Sequence, residues 1–540
     1  MSKMNKKIII TIWITILLLT AGFKIILLLG DVFPFNSDEA VVGLMAKHIL
    51  DGERPIFFYG QAYMGSLDAW LTAGGFAVLG EKVWVIRLVQ VLLYLATVTL
   101  TMYFVWLYSN SAWPPVITGL FMAFPVVNMM LYTTISLGGY GESLLFGTLL
   151  LVVYTLYLKK ETGSFASLGL LTIIGLISGF GFWVNGITLV YSLPVIGLVF
   201  WHLRDKDAKQ KSFKNILTKF TGLILGLLIG LIPWILYVSS NGLAVIISEN
   251  IGKVVDVSGE SYLFSLLLHL RNLVLFGVTA IFGIRPPWGL EILAKPILPL
   301  TVAAWILIFY FARKHSNKDH AQELFRLISL VILVLVLGFI FTPFGNDPSG
   351  RYFIPVVHML AILAGYTLGN LAHKPLLPGV LSVVILAFNI WGVVECARKN
   401  PPGMTTQFDP IAQVDHRYDQ ELIDFLLTYD EKAGFSNYWV SYPLAFLSNE
   451  EIIFVPELPY HQDFRHTARD NRYPAYSETV LTREKVAYIT TNHPQLNDRI
   501  RNGFYLNKIT WKEKIIGDYM VFYNLSGKVL PDDLNLGLIE

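Results

Sequence analysis

Two adjacent carboxylates, Asp38 and Glu39, stand in the run Asn36-Ser37-Asp38-Glu39-Ala40, just past the first long apolar stretch of the chain. A carboxylate at a membrane edge can take a proton from a hydroxyl while a lipid-held reactant is presented from the bilayer. Neighbouring helical positions diverge by about 100° around the axis, so the two acids meet different surroundings and cannot share one task. Either residue type could be the base. The competing structural role is helix capping, which Ser37 or Asp38 suits equally.

Further candidates lie at later membrane edges. Glu142, in Gly138-Gly139-Tyr140-Gly141-Glu142, is a lone acid beside flexible glycines; it either orders a site or compensates a helix dipole. Arg351 and Tyr352 follow Asn346-Asp347-Pro348-Ser349-Gly350, and a guanidinium there can bind a lipid phosphate in bidentate fashion. The alternative is an interfacial anchor. Arg271, Arg285 and Lys253 fall on the same side and could add to a phosphate cradle, though each alone reads as an anchor. In Phe57-Phe58-Tyr59-Gly60-Gln61-Ala62-Tyr63, the residues Tyr59, Gln61 and Tyr63 could line a sugar site; an aromatic belt is the plainer reading. His461, His466 and His493 lack metal-ligand spacing, and no phosphate-binding loop or nucleophile elbow is present.

The elements that must position these residues are mostly membrane helices. Of 540 residues 54% are hydrophobic and 15% charged, and mean hydropathy is +0.55. That composition predicts a polytopic α-helical membrane protein. A net charge of +2 argues against nucleic acid as a partner, and the single Cys396 excludes an internal disulfide. Lys3, Lys6 and Lys7 precede an apolar run from Ile8 to Gly30, read as an uncleaved signal anchor. Further spans are expected near 83–108, 115–134, 142–158, 165–183, 186–203, 217–238, 292–312, 326–343, 354–372 and 377–395, about eleven in all. Cytoplasmic loops then hold Lys159, Lys160, Arg204, Lys206, Lys209, Lys211, Lys214, Arg313, Lys314, Lys318 and Lys374. The bias holds only if 262–283, with His269 and Arg271, lies at the outer surface without crossing. The N-terminus is then cytoplasmic, and the loop 31–82 and the tail 396–540 are extracytoplasmic.

Within the first outer loop, Ala40 to Leu50 has the periodicity of a helix lying on the membrane, and Met64 to Leu79 that of a second helix. The tail predicts a small α/β domain. Its helices fall at Arg417–Tyr429 and Pro494–Gly503, and its strands near 437–441, 451–455, 486–490 and 519–523.

With Ser37-Asp38-Glu39-Ala40 in the first outer loop, Glu142 in the second, and Arg351-Tyr352 plus Pro355 before a late span, the chain resembles the GT-C glycosyltransferases of the protein-mannosyltransferase and aminoarabinose-transferase type. The resemblance covers residues 1–395. It implies a catalytic membrane module over that range and transfer of a sugar, with inversion, from a polyprenyl-phosphate carrier to an extracytoplasmic lipid, glycan or protein. Asp38 would be the base, Glu39 a supporting residue, and Glu142 an acceptor-binding or site-ordering residue, with Arg351 and Tyr352 on the departing phosphate. No cofactor is implied and no metal is required. The expected home is the plasma (inner) membrane, serving the cell envelope. Where many relatives carry a basic or His-Pro-rich segment, this chain has Gln61-Ala62-Tyr63-Met64-Gly65-Ser66.

A transporter or flippase of lipid-linked saccharides is the alternative; it would place acids and helix breaks near the midplane in two matching halves. This chain keeps its acids at the outer edge and shows no repeat. A ligase- or polymerase-like enzyme would share the donor class but carry its large outer loop late, whereas here the structured loop comes first.

Overall fold

A chain crossing hydrocarbon must satisfy its backbone hydrogen bonds internally, so the apolar stretches form helices. The computed structural model describes residues 6–160, 165–210, 213–247, 262–316, 319–399, 403–534, 536 and 538–539. Helix α1 (Lys6–Leu29) leads to a folded loop made of α2 (Ser37–Leu50), the hairpin β1 (Phe57–Phe58) and β2 (Gln61–Gly65), and α3 (Leu67–Leu79). There follow α4 (Val83–Leu107), α5 (Trp113–Ala123), α6 (Val127–Tyr132), α7 (Tyr140–Leu158), α8 (Phe165–Val184) and α9 (Leu189–Gln210). Next come α10 (Phe213–Gly230), α11 (Ile232–Asn241), α12 (Ala244–Ile247), α13 (Tyr262–Asn272) and α14 (Thr279–Ile281). The membrane part closes with α15 (Leu298–Ser316), α16 (Asp319–Phe341), α17 (Ile354–Asn370) and α18 (Leu376–Ala397). Among the described residues ten helices are long and apolar enough to cross a membrane, or up to eleven counting the bent pair of α10 and α11. This is a multi-pass membrane protein.

Small residues set how closely these helices approach. A Cβ on Gly175 would sit 2.0 Å from the Leu223 carbonyl, and one on Gly226 would sit 2.0 Å from the Thr172 carbonyl. Gly175, Gly179, Gly226 and Gly230 thus let α8 and α10 touch backbone to backbone. Past Leu231 the chain bends by 60° into α11, where Pro233 lies in the first turn.

Two stretches depart from the expected list of spans. The expected span 115–134 is broken between α5 and α6, where Phe124 takes φ −125° ahead of Pro125. It still runs the full length of α17, since Pro114 packs on Gly369 while Asn128 donates to the Gly350 carbonyl at 2.8 Å. Tyr262–Ile281 passes the length and composition test for a span. It packs against α16, α17 and the segment between them. His269 bonds Ile340 and Asn346, Asn272 donates to Gly345, Gly277 packs on Phe353, and Arg285 donates to Pro348. The charge bias excluded this segment as a span, whereas its length and composition suit one.

The C-terminal region is an α/β fold with a five-stranded sheet ordered β4-β3-β6-β8-β7. Its elements are α19 (Asp419–Thr428), β3 (Ala433–Ser436), α20 (Tyr438–Leu447), β4 (Ile453–Pro456), β5 (Arg465–His466) and α21 (Pro474–Thr482). After these come β6 (Ala487–Thr491), α22 (Pro494–Leu506), β7 (Lys512–Ile516), β8 (Tyr519–Tyr523) and β9 (Leu538–Ile539). Strands β3, β4 and β6 run parallel and β7–β8 is an antiparallel hairpin. The expected strand at 437–441 is instead the start of α20. Asn437 accepts from the Trp439 N–H at 3.0 Å and caps a helix, so the strand is the buried run just before it.

Helix α2 also differs from expectation. It does not lie on the membrane with one face in water, because Ala40–Ile49 is buried on all sides. Its second face is covered by α20, with the Phe446 ring against Gly43, and one apolar core joins the loop to the C-terminal domain.

Candidate active site

Asp38 is not the cap of its own helix. Asn36 is the N-cap of α2 and its side chain accepts from the Glu39 N–H at 3.1 Å. Ser37 donates to the Tyr438 carbonyl, and the Tyr438 hydroxyl donates to Asp38 Oδ1 at 2.6 Å. The Asp38 side chain lines a cavity of about 650 Å³.

Glu39 points elsewhere. Its two oxygens accept from Arg87 Nε at 2.8 Å and Nη2 at 3.0 Å, and Nη2 also donates to the Phe33 carbonyl. Burial pushes the Glu39 carboxyl up, with the Arg87 charge opposing it. Glu39 therefore ties α2 to α4 and is absent from the cavity wall. Adjacent helical positions diverge, as expected, and only one of the two acids reaches the cavity.

Arg351 and Tyr352 also line the cavity, at the turn before α17. Gly350 makes that turn with φ +82°, where a Cβ would stand 2.5 Å from Ala280. Arg351 Nη2 pairs with Asp347 at 2.7 Å and donates to the Tyr352 hydroxyl at 3.1 Å. A phosphate here would share the guanidinium with Asp347.

Gln61 and Tyr63 line the same cavity from β2. Tyr59, the next outward-facing position on that hairpin, does not. Its hydroxyl donates to Glu53 and contacts His48 Nδ1 at 3.0 Å, and its ring stacks on Tyr473 at 4.9 Å. Tyr59 thus fastens the hairpin to the C-terminal domain.

Glu142 is fully buried behind the cavity. Gln90 Nε2 bridges it at 3.2 Å to Asp68 at 3.0 Å, and Ser136 donates to Asp68. Burial pushes the Asp68 carboxyl up. The pair holds α3, α4 and α7 together behind Tyr140, which does line the cavity.

The wider phosphate cradle is not assembled. Arg285 is buried and spends its donors on Thr279 and on the carbonyls of Phe276, Pro286 and Pro348. Burial lowers it to about 10. It staples the loop before α15 to the turn before Arg351. Arg271 is exposed on α13, away from the cavity, and Lys253 lies outside the described residues. No three His, Cys, Asp or Glu side chains gather to hold a metal ion among the described residues.

The C-terminal domain supplies a wall that the sequence did not reveal: Tyr438, Trp439, Tyr460, Asp470 and Arg472. Arg472 is buried, with its guanidinium 5.1 Å from the centre of the Tyr438 ring. With its carboxamide oxygen turned toward them, Gln61 accepts from Tyr63 at 3.1 Å and from the Arg472 amino groups at 2.5 and 2.7 Å. The one signal for this wall was Asn437 ahead of an apolar run, which marks a helix start close to an aromatic pair. The same cavity has apolar flanks: Leu189, Val190 and Leu193 of α9, and Val334, Leu335 and Phe339 of α16. Leu193 is 53% exposed, so this slot faces the surroundings of the bundle.

No family model matches the chain and no curated protein matches it. Solved structures do resemble it. ArnT from Cupriavidus metallidurans bound to undecaprenyl phosphate superposes with TM-score 0.59 at 12% identity, covering 97% of this chain and 99% of that one. Its apo state gives 0.56 at 12% identity over 94% and 97%. The Archaeoglobus fulgidus oligosaccharyltransferase tethered to an acceptor peptide gives 0.50 at 11% identity, over 90% of this chain and 69% of that one. The likeness is one of fold, and the fold is the GT-C fold.

Proposed function

We propose that this protein is a membrane glycosyltransferase that moves a sugar from a polyprenyl-phosphate-linked donor to an extracytoplasmic acceptor. The observation that carries the reading is one cavity in which Asp38 and Arg351 share space with an apolar slot between α9 and α16. A carboxylate, a guanidinium and an apolar slot are what an amphipathic phosphate-linked donor needs in one place. The undecaprenyl phosphate bound to the structurally similar ArnT supports the same donor class. Residues 1–395 form the catalytic membrane module in this reading. Residues 396–540 form an outer domain that walls the cavity, and the cytoplasmic N-terminus follows from the lysine and arginine bias of the loops.

In the reaction the acceptor hydroxyl attacks the anomeric carbon while its proton passes to Asp38. Tyr438 occupies Oδ1 and leaves Oδ2 for the acceptor. The bond from the anomeric carbon to the phosphate oxygen breaks, and its electron pair stays on the phosphate. The added negative charge falls near Arg351 and Tyr352. A phosphate leaves without being protonated, so no general acid is needed, unlike the two-carboxylate machinery of glycosidases. Attack opposite the leaving phosphate inverts the anomeric centre. Glu39 and Glu142 act at a distance, by holding α2 and α7 in place.

The test is mass spectrometry of lipid, glycan and envelope protein from cells lacking the gene. One envelope component should lose a sugar, and it should regain it with the wild-type gene but not with Asp38→Asn. Restoration by Asp38→Asn would overturn the assignment of the base.

A further inference from the structure

The cavity wall from the C-terminal domain combines buried charge, unpartnered polar atoms and aromatic faces. Arg472 is 7% exposed, and its nearest acids, Asp38 and Asp470, attract it without a salt bridge among the described residues. Its Nε and the Trp439 indole N–H are buried, without a hydrogen-bond partner among the described residues. Asp470, opposite in charge, lines the same cavity, and its Oδ2 is also buried without a hydrogen-bond partner among the described residues. Buried donors left without partners are costly, so a ligand that supplies acceptors would relieve them. Aromatic faces stand beside these groups. The Trp439 ring lies 4.8 Å from Tyr438 and 6.3 Å from Tyr460, both near perpendicular to it.

Building on the glycosyltransferase reading, we propose that Trp439, Tyr460, Asp470 and Arg472, with Gln61 from the hairpin, form the subsite for the transferred sugar, and that this sugar is a neutral, hydroxyl-rich ring. Each hydroxyl can both donate and accept, which suits an Asp and an Arg side by side. Aromatic rings cover the apolar C–H face of such a ring. An amino sugar would bring an ammonium group against the Arg472 guanidinium. A uronic acid would bring a carboxylate against Asp38 and Asp470. A neutral ring avoids both conflicts, because the wall carries both signs and offers donors and acceptors in close succession. Tyr438 joins the subsite to Asp38, since its hydroxyl bonds Asp38 and its ring lies 4.8 Å from Trp439.

The full chain in lipid nanodiscs provides the test, with four probes: bare polyprenyl phosphate, and polyprenyl phosphate carrying glucose, an amino pentose or glucuronic acid. Intrinsic tryptophan fluorescence or competition with labelled polyprenyl phosphate reads the affinities. The glucosyl donor should bind at least about tenfold tighter than bare polyprenyl phosphate, and tighter than the other two glycosyl probes. Asp470→Asn, Arg472→Gln and the ring-preserving Trp439→Phe should each shrink that margin while leaving the affinity for bare polyprenyl phosphate unchanged. The unchanged affinity also shows that each variant is folded. If bare polyprenyl phosphate binds but glucose adds nothing, or if a charged sugar is preferred, the sugar subsite is overturned and the glycosyltransferase reading survives. A margin that persists in all three variants overturns the subsite equally. If no probe binds, the reading of the cavity as a lipid-phosphate donor site falls, and this proposal with it.

Discussion

The Tyr438 hydroxyl donates a hydrogen bond to Asp38 Oδ1 at 2.6 Å across 400 residues of sequence. The proposed base on the first loop is thus oriented by the C-terminal domain. Ser37 adds a second tie, to the Tyr438 carbonyl. The domain is a structural part of the site, which explains why α2 is buried against α20 and does not float on the membrane.

Removing the base separates chemistry from binding. Asp38→Asn should lower turnover by about 10²–10⁴-fold, the usual worth of a positioned general base, while polyprenyl-phosphate binding is kept. Tyr438→Phe keeps the ring and loses only the bond to Asp38, so its loss should be smaller, about tenfold. Single-turnover transfer with labelled donor measures both. Equal losses in the two variants would mean that Tyr438 does more than orient the carboxylate.

Arg351→Ala should raise the KM for donor by roughly 10–100-fold, as expected for a lost charge-assisted contact, with little change in the KM for acceptor. The variant also leaves Asp347 without its partner. The double variant Arg351→Ala/Asp347→Asn should therefore recover stability without recovering donor affinity. Steady-state kinetics with each substrate varied in turn, alongside thermal unfolding, separates the two effects.

The Glu39–Arg87 pair is structural in this geometry, with the Glu39 side chain fully buried. Breaking one side, as in Arg87→Met, leaves an uncompensated buried carboxylate and should cost about 3–5 kcal/mol. Removing both charges, as in Arg87→Met/Glu39→Leu, should cost less than the single change. Thermal unfolding in detergent checks this. A double variant no more stable than the single would show that the pair does more than cancel charge.

Sugar affinity should depend on pH through Asp470. Burial raises its carboxyl to about 6, with the Arg472 charge opposing. Above that value the group is a carboxylate, and below it a neutral acid with weaker hydrogen bonds to hydroxyls. The extra affinity of a glucosyl donor over bare polyprenyl phosphate should hold at neutral pH and fall as pH drops through about 6. In Asp470→Asn the margin should be small and flat over that range. Binding, not turnover, is the readout, because turnover also reports on Asp38.

Much of this protein was legible in the order of its residues. Hydropathy alone placed most of the membrane helices, whereas the charge bias argued against 262–283, whose length and composition suit a span. Local chemistry also marked Asp38 as a candidate base and Arg351 as a candidate cavity residue, since helix starts and membrane edges are short-range features. Hydropathy averages over a window, however, and could not show the break at Phe124–Pro125. Nor could periodicity distinguish an apolar helix start at Tyr438 from a strand. What only the tertiary structure decided is which charges meet. Glu39 turns to Arg87, Glu142 to Gln90, and Arg285 to the Pro348 carbonyl, each taken out of the cavity by a partner remote in sequence. Arg472, Asp470 and Trp439 enter it from a domain more than 390 residues beyond Asp38. A charge's role depends on what neutralises it, and that partner is fixed by packing between distant segments, which sequence spacing does not encode.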